Sequence, residues 1–368
     1  MAMENNQAWP SWLPIRSELA DLKPYGAPQI SGVRALNTNE NPYDLPKKVV
    51  AEMLEALPQV LANLNRYPDR DAVALREALA KYLSKSAGIV FGSRNIWAAN
   101  GSNEILQTLM LVCGGRGALG FTPSYSVHPL IAKATGTNWI SGDREASFNI
   151  DIKKSIKMIS EKEPGITFIT TPNNPTGTST PYADLEELAI ACREIKGLLV
   201  VDEAYAEFSK EMSAVNLIAQ YPNVVVVRTM SKAFAFAGAR VGYAVCNEAV
   251  VDAMLVTRLP YHLSSTTQAL ALVALDNSKA LLAEVDALIA ERDRVAAQLA
   301  KLGFEVSPSS ANFLLFSGFK GDSKTAWESL VAAGILVRDV GLSGYLRVTI
   351  GLPSENDEFL TAIAALRS

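Results

Sequence analysis

A chain of 368 residues is long enough for one large and one small globular unit, each with its own hydrophobic core. Apolar residues make up 49% of the chain and the formal net charge is −4, so we do not expect a nucleic-acid-binding surface. No run of about 18 apolar residues occurs, and the first residues lack the basic and apolar regions of a signal peptide, which argues against a membrane span and against secretion.

The chain changes character near Pro46. Residues 1–45 are rich in Pro, Asn and Gly and show no strong periodicity, so they are predicted to form an N-terminal arm rather than a domain. Amphipathic patterns over 47–62 and 70–86 predict two helices. We therefore expect regular structure to begin near Pro46.

Short apolar strands alternate with helical segments along the next part of the chain. The predicted strands span residues 95–99, 117–121, 137–141, 166–170, 197–201, 224–228 and 240–245. This alternation is typical of βαβ units, so we predict an α/β fold with a mostly parallel sheet flanked by helices. Residues 46–262 would form this large domain.

A smaller α+β domain is predicted over residues 263–368. It begins with a helix-prone tract, 265–302, which is predicted to form two helices hinged near residues 276–278. The predicted strands of this domain span residues 304–307, 312–316, 335–337 and 345–350.

The rare residues restrict the chemistry. Cys113, Cys192 and Cys246 lie far apart in apolar runs, a pattern typical of buried free thiols in a reducing cytoplasm. His128 and His262 are too distant in sequence for a local two-histidine metal motif. We expect a cytoplasmic protein without a metal site, whose chemistry depends on lysine, tyrosine, carboxylates or a cofactor.

Lys232 comes shortly after the predicted strand 224–228. Two hydroxyl residues, Thr229 and Ser231, precede it, and Arg240 lies eight residues further on. Ligands of open α/β sheets bind beyond the carboxyl ends of the strands. A lysine placed there near other positive charge loses its proton readily and can attack a carbonyl to form a Schiff base. The alternative is a surface lysine that simply succeeds a strand.

A possible phosphate site lies directly after the predicted strand 95–99. The sequence Asn-Gly-Ser-Asn-Glu at 100–104 opens a helix, and free backbone N–H groups at a helix start attract anions. Its glycine permits close approach of a ligand. The alternative is that Ser102 serves only as the helix N-cap.

Two further strand ends carry polar groups. The turn at 171–177 contains two prolines and a glycine and presents Asn174 after strand 166–170. A purely structural turn is the alternative there. Asp202 and Tyr205 come after the next predicted strand, and a buried carboxylate in that place needs a cationic partner.

These groups together match the requirements of pyridoxal 5′-phosphate for its binding site. Lys232 would bind its aldehyde, and Asp202 would keep its ring nitrogen protonated. Asn174 and Tyr205 would donate hydrogen bonds to the ring oxygen, while Tyr125 would stack on the ring. The predicted phosphate-binding residues are Ser102, Asn103, Thr229, Ser231 and Arg240.

Short motifs spread over nearly the whole chain carry a resemblance to a known family. They are Leu-Asn-Thr-Asn-Glu-Asn-Pro-Tyr (36–43), Arg-Tyr-Pro-Asp (66–69), Asn-Gly-Ser-Asn-Glu (100–104), Asn-Asn-Pro-Thr-Gly (173–177), Val-Asp-Glu-Ala-Tyr-Ala-Glu-Phe (201–208), Ser-Lys-Ala-Phe (231–234), Ala-Asn-Phe-Leu (311–314) and Leu-Arg-Val-Thr-Ile-Gly (346–351). With them the chain resembles the fold-type I pyridoxal-phosphate aminotransferases, and most closely the histidinol-phosphate aminotransferases. One departure is Gly-Ser-Asn-Glu in place of the more usual Gly-Ala-Asp-Glu. We expect cofactor binding to survive it, because backbone N–H groups do most of that work.

The resemblance implies a homodimer with active sites at the subunit interface. Tyr67 would then reach the cofactor phosphate of the partner, and the N-terminal arm would pack on the small domain or on the partner. Arg347 matches the arginine that binds the substrate α-carboxylate, for which its bidentate fork is suited. Arg338 matches a position near the substrate phosphate. The predicted substrate-binding set also includes Tyr25, Asn41, Asn100 and Tyr261.

Several of these assignments have simpler alternatives. Arg338 precedes Asp339 and could form only a surface ion pair with it. Tyr67 could pack an interdomain turn. Tyr25 and Tyr261, like Tyr43, flank predicted pocket segments, and ordinary core or surface packing would explain them equally well.

The activity implied by the resemblance is a two-stage transamination between histidinol phosphate and 2-oxoglutarate in histidine biosynthesis. Lys232, Asp202 and Tyr205 would be the catalytic residues, with Lys232 as the general base. The nearest alternative is an aminotransferase for phenylalanine or tyrosine, because relatives share these motifs and a tyrosine-lined pocket suits phenyl rings. An alternative of another class is a pyridoxal-phosphate-dependent decarboxylase of phosphorylated amino acids.

Overall fold

A seven-stranded β-sheet forms the centre of the molecule. The structure, a computed structural model, describes residues 9–366. The strands of all sheets in the described chain, in chain order, are β1 (Arg34–Ala35), β2 (Ile96–Asn100), β3 (Ala118–Thr122), β4 (Trp139–Asp143), β5 (Ile166–Thr170), β6 (Leu198–Asp202), β7 (Val224–Thr229), β8 (Val241–Cys246), β9 (Glu305–Val306), β10 (Phe313–Ser317), β11 (Ile335–Leu336) and β12 (Leu346–Thr349). The central sheet has the order β2-β8-β7-β6-β5-β3-β4, and β8 runs antiparallel to both neighbours while the other pairs are parallel. The predicted mostly parallel α/β fold is confirmed.

Helices cover both faces of this sheet. In chain order they are α1 (Lys47–Ala62), α2 (Val73–Ala87), α3 (Ser102–Cys113), α4 (Val127–Thr135), α5 (Ile152–Lys162), α6 (Tyr182–Glu194), α7 (Glu248–Thr257), α8 (Ser265–Asp276), α9 (Ser278–Leu281), α10 (Val285–Lys301), α11 (Ser323–Ala332) and α12 (Pro353–Ala365). Helices α3, α4 and α7 contribute to the core on one face, and α1, α2, α5, α6 and α8 contribute to the core on the other. None of the helices in the described part of the chain has the length and apolar character required to cross a membrane.

The alternation of side chains along β7 shows why the sheet needs helices on both sides. Val224 and Val226 belong to one core, and Val225 and Val227 belong to the other. Successive residues of a strand point to opposite faces, so a continuous apolar run must be covered twice. The strands are covered along their length, so their polar carboxyl ends lie at the open edge of the sheet. The first residues of the loops that follow lie there too.

A second, smaller sheet stands in the C-terminal part of the chain. Strands β12, β10 and β9 pair antiparallel in that order, and α10, α11 and α12 contribute to their core. Strand β11 instead pairs in parallel with β1, matching Arg34 with Ile335 and Ala35 with Leu336. The N-terminal segment is thereby joined to the C-terminal core, in which Leu36 is buried.

The prediction that regular structure begins near Pro46 is wrong. A 3₁₀ helix at Ser17–Leu19 and strand β1 precede it. The two-residue β1 forms because a partner at the far end of the chain supplies its hydrogen bonds, and no local pattern reveals that partner.

The helical tract 265–302 contains three helices rather than the predicted two. The break at Asn277 lies where it was predicted, and the Asn277 side chain donates hydrogen bonds to Glu52 and to the carbonyl of Val273. A second break falls between Leu281 and Val285. Leu282, within this break, packs against both the large core and the C-terminal core.

Candidate active site

A cavity of about 400 Å³ opens at the carboxyl ends of the central strands. Its wall combines the ends of β5, β6 and β7, the start of α3, the segment 37–40 and strand β12. Most of the residues predicted from the sequence line this cavity: Tyr25, Ser102, Asn103, Tyr125, Asn174, Asp202, Tyr205, Thr229, Ser231, Lys232, Arg240, Arg338 and Arg347. Residues far apart in sequence meet here because parallel strands end at one edge of the sheet.

Lys232 lies in this cavity, shortly after strand β7 ends at Thr229. Its Nζ donates a hydrogen bond to the carbonyl of Thr38 at 3.1 Å and lies 5.9 Å from the centre of the Tyr205 ring. Desolvation lowers the pKa of Lys232 to about 8, and the positive charge of Arg347 acts in the same direction. About a tenth of the Lys232 amine is therefore neutral at pH 7, far more than for an ordinary lysine, and the neutral form acts as a nucleophile or base.

Asp202 ends strand β6 and is buried, with 3% of its surface exposed. Its Oδ2 lies 3.1 Å from Nε2 of His128, which stacks on Phe168 at 4.9 Å between ring centres. Its Oδ1 is buried and has no hydrogen-bond partner among the described residues. A buried carboxylate oxygen without a donor is costly. A protonated ring nitrogen held in the cavity would supply the missing donor, so this residue fits the predicted cofactor.

The start of helix α3 is shaped for close approach of another group. Gly101 has a φ of 80°, a left-handed conformation that other residues rarely adopt. A Cβ on Gly242, in the adjacent strand β8, would lie only 2.3 Å from the backbone nitrogen of Ser102. These two glycines allow the helix start to lie against the strand, and its free N–H groups suit a phosphate.

Three polar side chains extend this anion site. The Thr229 hydroxyl donates to Ser231 Oγ at 2.9 Å, and Arg240 donates to the same oxygen at 3.4 Å. The guanidinium of Arg240 also packs so closely on Gly101 that a Cβ there would lie 2.5 Å from Nη2. A positive charge, two hydroxyls and a helix start thus converge, and this set is suited to hold a phosphate.

Two tyrosines line the same cavity as the Asp202 carboxylate and Lys232. The Tyr125 hydroxyl donates to Asn103 Oδ1 at 3.3 Å, and its ring meets His128 edge-on at 5.4 Å between centres. The Tyr205 hydroxyl accepts a hydrogen bond from Asn39 Nδ2 at 2.9 Å. Burial raises the pKa of both phenols, so each remains protonated and available as a donor at neutral pH.

Arg347 is a buried cation without a carboxylate partner among the described residues. It is 6% exposed, and its guanidinium donates to Asn174 Oδ1 and to the carbonyl of Asn37 at 2.8 Å. Its Nε is buried and lacks a partner in the range 9–366. Desolvation lowers the pKa of Arg347 to about 10, and the nearby charge of Arg338 adds to this effect. An anion bound in the cavity would neutralise this charge.

Arg338 lies beside Arg347, since their backbones form a two-way hydrogen-bonded bridge. Its guanidinium donates to the carbonyl of Gly26 at 3.3 Å and lies 6.0 Å from the centre of the Tyr25 ring. The surface ion pair with Asp339 is not found among the described residues, where the Asp339 carboxylate accepts from the N–H of Gly341 instead. Two arginines therefore stand together at one side of the cavity.

Four predicted site residues lie outside the cavity of this single chain. Tyr67 is 80% exposed and stacks on Tyr261 with 4.4 Å between ring centres. Asn41 donates to the carbonyl of Ala233 at 3.2 Å, and Asn100 donates to that of His262 at 2.6 Å. Their predicted contacts with a cofactor phosphate or a substrate stay predictions.

Two parts of the site were not predicted from the sequence, namely His128 and most of the segment 37–40. Asn39 adopts a left-handed conformation with a φ of 55°, and Thr349 hydrogen-bonds to both its backbone N–H and its side chain. The motif 36–43 marked this segment, yet only Asn41 was assigned a role from it. The pairing of His128 with Asp202 left no signal in the sequence, because it joins a helix start to a strand end that are 74 residues apart.

Comparison with known proteins places this geometry in a family. Residues 32–363 match the family described as aminotransferase class I and II. The chain is 54% identical over 351 residues to a histidinol-phosphate aminotransferase of Nocardia farcinica, covering 95% of this chain and 90% of that protein. It is 51% identical over 357 residues to one of Mycolicibacterium smegmatis, covering 96% and 93%. The crystal structure of histidinol-phosphate aminotransferase from Clostridium acetobutylicum shares the fold, with a TM-score of 0.81 over 90% of this chain and 98% of that chain at 24% identity.

Proposed function

The chain belongs to the class I and II aminotransferases, and on that premise we propose that it transfers the amino group of histidinol phosphate to 2-oxoglutarate, in histidine biosynthesis. The observation that carries this proposal is the pair of neighbouring arginines, Arg338 and Arg347, facing a cavity that also holds Lys232 and a buried carboxylate. Both substrates are anionic, and neither arginine has a carboxylate partner among the described residues. The test is a set of kcat/KM values for histidinol phosphate, phenylalanine and tyrosine with 2-oxoglutarate.

The cofactor is pyridoxal 5′-phosphate, which supplies an aldehyde for the amino group and a ring that accepts the electron pair left by the departing α-proton. Asp202 would hold its ring nitrogen in the protonated state through the free Oδ1. The start of α3, Thr229, Ser231 and Arg240 would hold its phosphate. Asn174, Tyr205 and Tyr125 would orient its ring.

Lys232 moves the proton in this proposal. Its lowered pKa favours the neutral amine, and in that form Nζ would take the proton from the substrate carbon that bears the amino group. Nζ would then hold this proton and release it later in the same half-reaction. The Tyr205 ring beside it and the hydrogen bond to the Thr38 carbonyl limit where Nζ can lie.

The two arginines would each bind the anionic group of a different substrate. The planar fork of Arg347 would bind the α-carboxylate of glutamate or 2-oxoglutarate, since Asn174 and the Asn37 carbonyl already orient it. Arg338, less constrained, would bind the phosphate of histidinol phosphate. A phenyl side chain offers no anion to Arg338, which is why the aromatic alternative accounts for the cavity less well.

We expect Arg338→Ala to lower kcat/KM for histidinol phosphate by on the order of a hundredfold, because loss of one partner from a charge pair costs about 2–5 kcal/mol. Turnover of phenylalanine should change little, since its side chain carries no anion. Arg34→Ala is a control, because Arg34 pairs with Glu355 and Glu358 on the surface away from the cavity. Equal losses with both substrates would exclude a phosphate-binding role for Arg338.

His128 should act on catalysis through Asp202. We expect His128→Ala to lower kcat by about tenfold, because one hydrogen bond to a charged group contributes about 1.5–3 kcal/mol, partly recovered here by relaxation. His128→Gln, which keeps an N–H donor, should recover part of the activity. The pH dependence of the visible absorbance of the bound cofactor should shift in His128→Ala. If the absorbance is unchanged and both variants lose activity only as they lose thermal stability, His128 is merely a packing residue.

We propose that the protein is a homodimer in which Tyr67 reaches the partner's cofactor phosphate. Exposed apolar side chains support this, since Tyr67, Val256 and Leu259 are each more than 70% exposed in one chain. Tyr67 stacks on Tyr261, so both would be covered by one partner surface.

The division into an arm (1–45), a large domain (46–262) and a small domain (263–368), with the arm packed on the small domain or on the partner, is likewise a proposal. The separate C-terminal core supports it, and that core also takes in Leu36. A cytoplasmic location is supported by three free cysteines, which a reducing compartment would maintain.

A further inference from the structure

One carboxylate in the cavity has no role in the proposed chemistry. Asp202 and Glu40 are the acidic residues of the described chain that line the cavity. Asp202 is buried and turned towards His128 and the cofactor ring. Glu40 is exposed and forms no ion pair with any residue in the range 9–366. It is therefore free to meet a bound substrate.

The position of Glu40 is well defined although its side chain is exposed. Asn312 Nδ2 donates to the carbonyls of Asn39 and Glu40, at 3.2 and 3.3 Å, and Thr349 accepts from the N–H of Asn39 at 3.0 Å. The Thr38 hydroxyl donates to Glu40 Oε2 at 2.8 Å. Backbone and carboxylate are thus both oriented, and the rest of the carboxylate remains available as a hydrogen-bond acceptor.

Glu40 also lies close to the reacting centre. Its charge raises the pKa of Lys232 against the larger lowering effects of desolvation and Arg347. Thr38, which orients Glu40, accepts the hydrogen bond from Lys232 Nζ through its carbonyl. The carboxylate therefore stands near the place where the substrate α-carbon must meet Lys232, and its charge is opposite to that of the two arginines.

The charges in the cavity suit a substrate with two unlike arms. Histidinol phosphate carries an anionic phosphate on one arm and an imidazole, with an N–H donor, on the other. Arg338 suits the phosphate arm, and a carboxylate suits the N–H donor. A phenyl ring has no donor for Glu40, so its binding would cover the carboxylate without adding a hydrogen bond to it.

We propose that Glu40 recognises the imidazole ring of the substrate by accepting a hydrogen bond from its N–H group. This inference rests on the proposed function and deepens it, because it identifies the residue that separates an imidazole substrate from an aromatic one. Glu40 acts in specificity rather than in proton transfer.

The test compares histidinol phosphate with phenylalaninol phosphate, which keeps the amine and the phosphate but replaces imidazole by phenyl. In holoenzyme, Glu40→Leu should lower kcat/KM for histidinol phosphate by about tenfold to a hundredfold, the range expected for a hydrogen bond to a charged group. Glu40→Gln keeps an acceptor oxygen for Thr38 and should lose less. Phenylalaninol phosphate turnover and the half-reaction with glutamate should not fall in either variant. Glu328→Gln, an exposed acid on α11, is the matched control.

Three results would overturn the inference. The first is unchanged discrimination between the two phosphorylated amines in Glu40→Leu. The second is an equal loss on both amines and on glutamate with a lowered pKa of Lys232, which would mean that Glu40 acts through Lys232. The third is a wild-type protein that does not accept histidinol phosphate. This last result alone would also reject the proposed function, so the two failures are distinguishable.

Discussion

We expect Lys232→Ala to abolish transamination, with kcat lowered by at least about a thousandfold. The general base alone contributes about 10²–10⁴, and the variant also lacks the amine that binds the cofactor aldehyde. The cavity still offers Asp202, Arg240 and the start of α3, so cofactor should remain bound without a covalent link. Turnover, visible absorbance and mass after borohydride reduction measure these effects.

Borohydride reduction provides the sharper part of this test. In the wild-type protein it should fix the cofactor on the peptide that contains Lys232, and in Lys232→Ala no peptide should carry it. Lys153→Ala removes an exposed lysine on α5 and serves as the control. Near-normal turnover in Lys232→Ala, or a trapped adduct on another lysine of the wild-type protein, would refute the assignment.

Arg347→Lys should produce the second-largest loss, confined mainly to the carboxylate substrates. We expect kcat/KM for glutamate and 2-oxoglutarate to fall by roughly 30-fold to a few thousandfold, the equivalent of about 2–5 kcal/mol for a buried charge pair. Lysine keeps the positive charge but lacks the planar fork that binds a carboxylate through two parallel hydrogen bonds. The half-reaction with histidinol phosphate, which has no carboxylate, should fall less.

The fold around Arg347 requires a separate control. Its guanidinium also donates to the Asn37 carbonyl and packs 5.1 Å above the Phe313 ring, so part of any loss could arise from a shifted segment 37–40. Asn37→Ala probes that segment without changing the cation, and thermal unfolding of each variant measures stability. An equal loss for glutamate and histidinol phosphate in Arg347→Lys would indicate that the residue supports the fold rather than the carboxylate.

The central strands were predictable because each is a short apolar run that must be buried. Strand β5 matches its predicted bounds, 166–170, and β4 differs by two residues. Strand β8 starts at Val241 rather than at the predicted residue 240, because Arg240 adopts a left-handed conformation with a φ of 57°. Burial determines where such a strand lies, whereas local backbone geometry decides the residue at which it begins or ends.

The cluster of site residues was predictable for a related reason. Asp202 and Lys232 lie at or just beyond the ends of apolar runs, and a parallel sheet brings the ends of such runs to one edge. The roles of Arg338, Arg347 and Tyr67 had no such local basis and came from resemblance to a family. The first two line the cavity, while Tyr67 lies on the exterior of the single chain.

The amino-acid sequence by itself therefore determined the central strands, their mostly parallel arrangement and several residues at the carboxyl edge of the sheet, because periodicity and burial act over a few neighbouring residues. Only the tertiary structure decided that β1 pairs with β11, that His128 meets Asp202, and that Glu40 faces the cavity. Each of these contacts joins segments that are distant in the chain. Their stability comes from hydrogen bonds and packing that exist only once both segments are in place, and such contacts leave no periodic trace in the sequence.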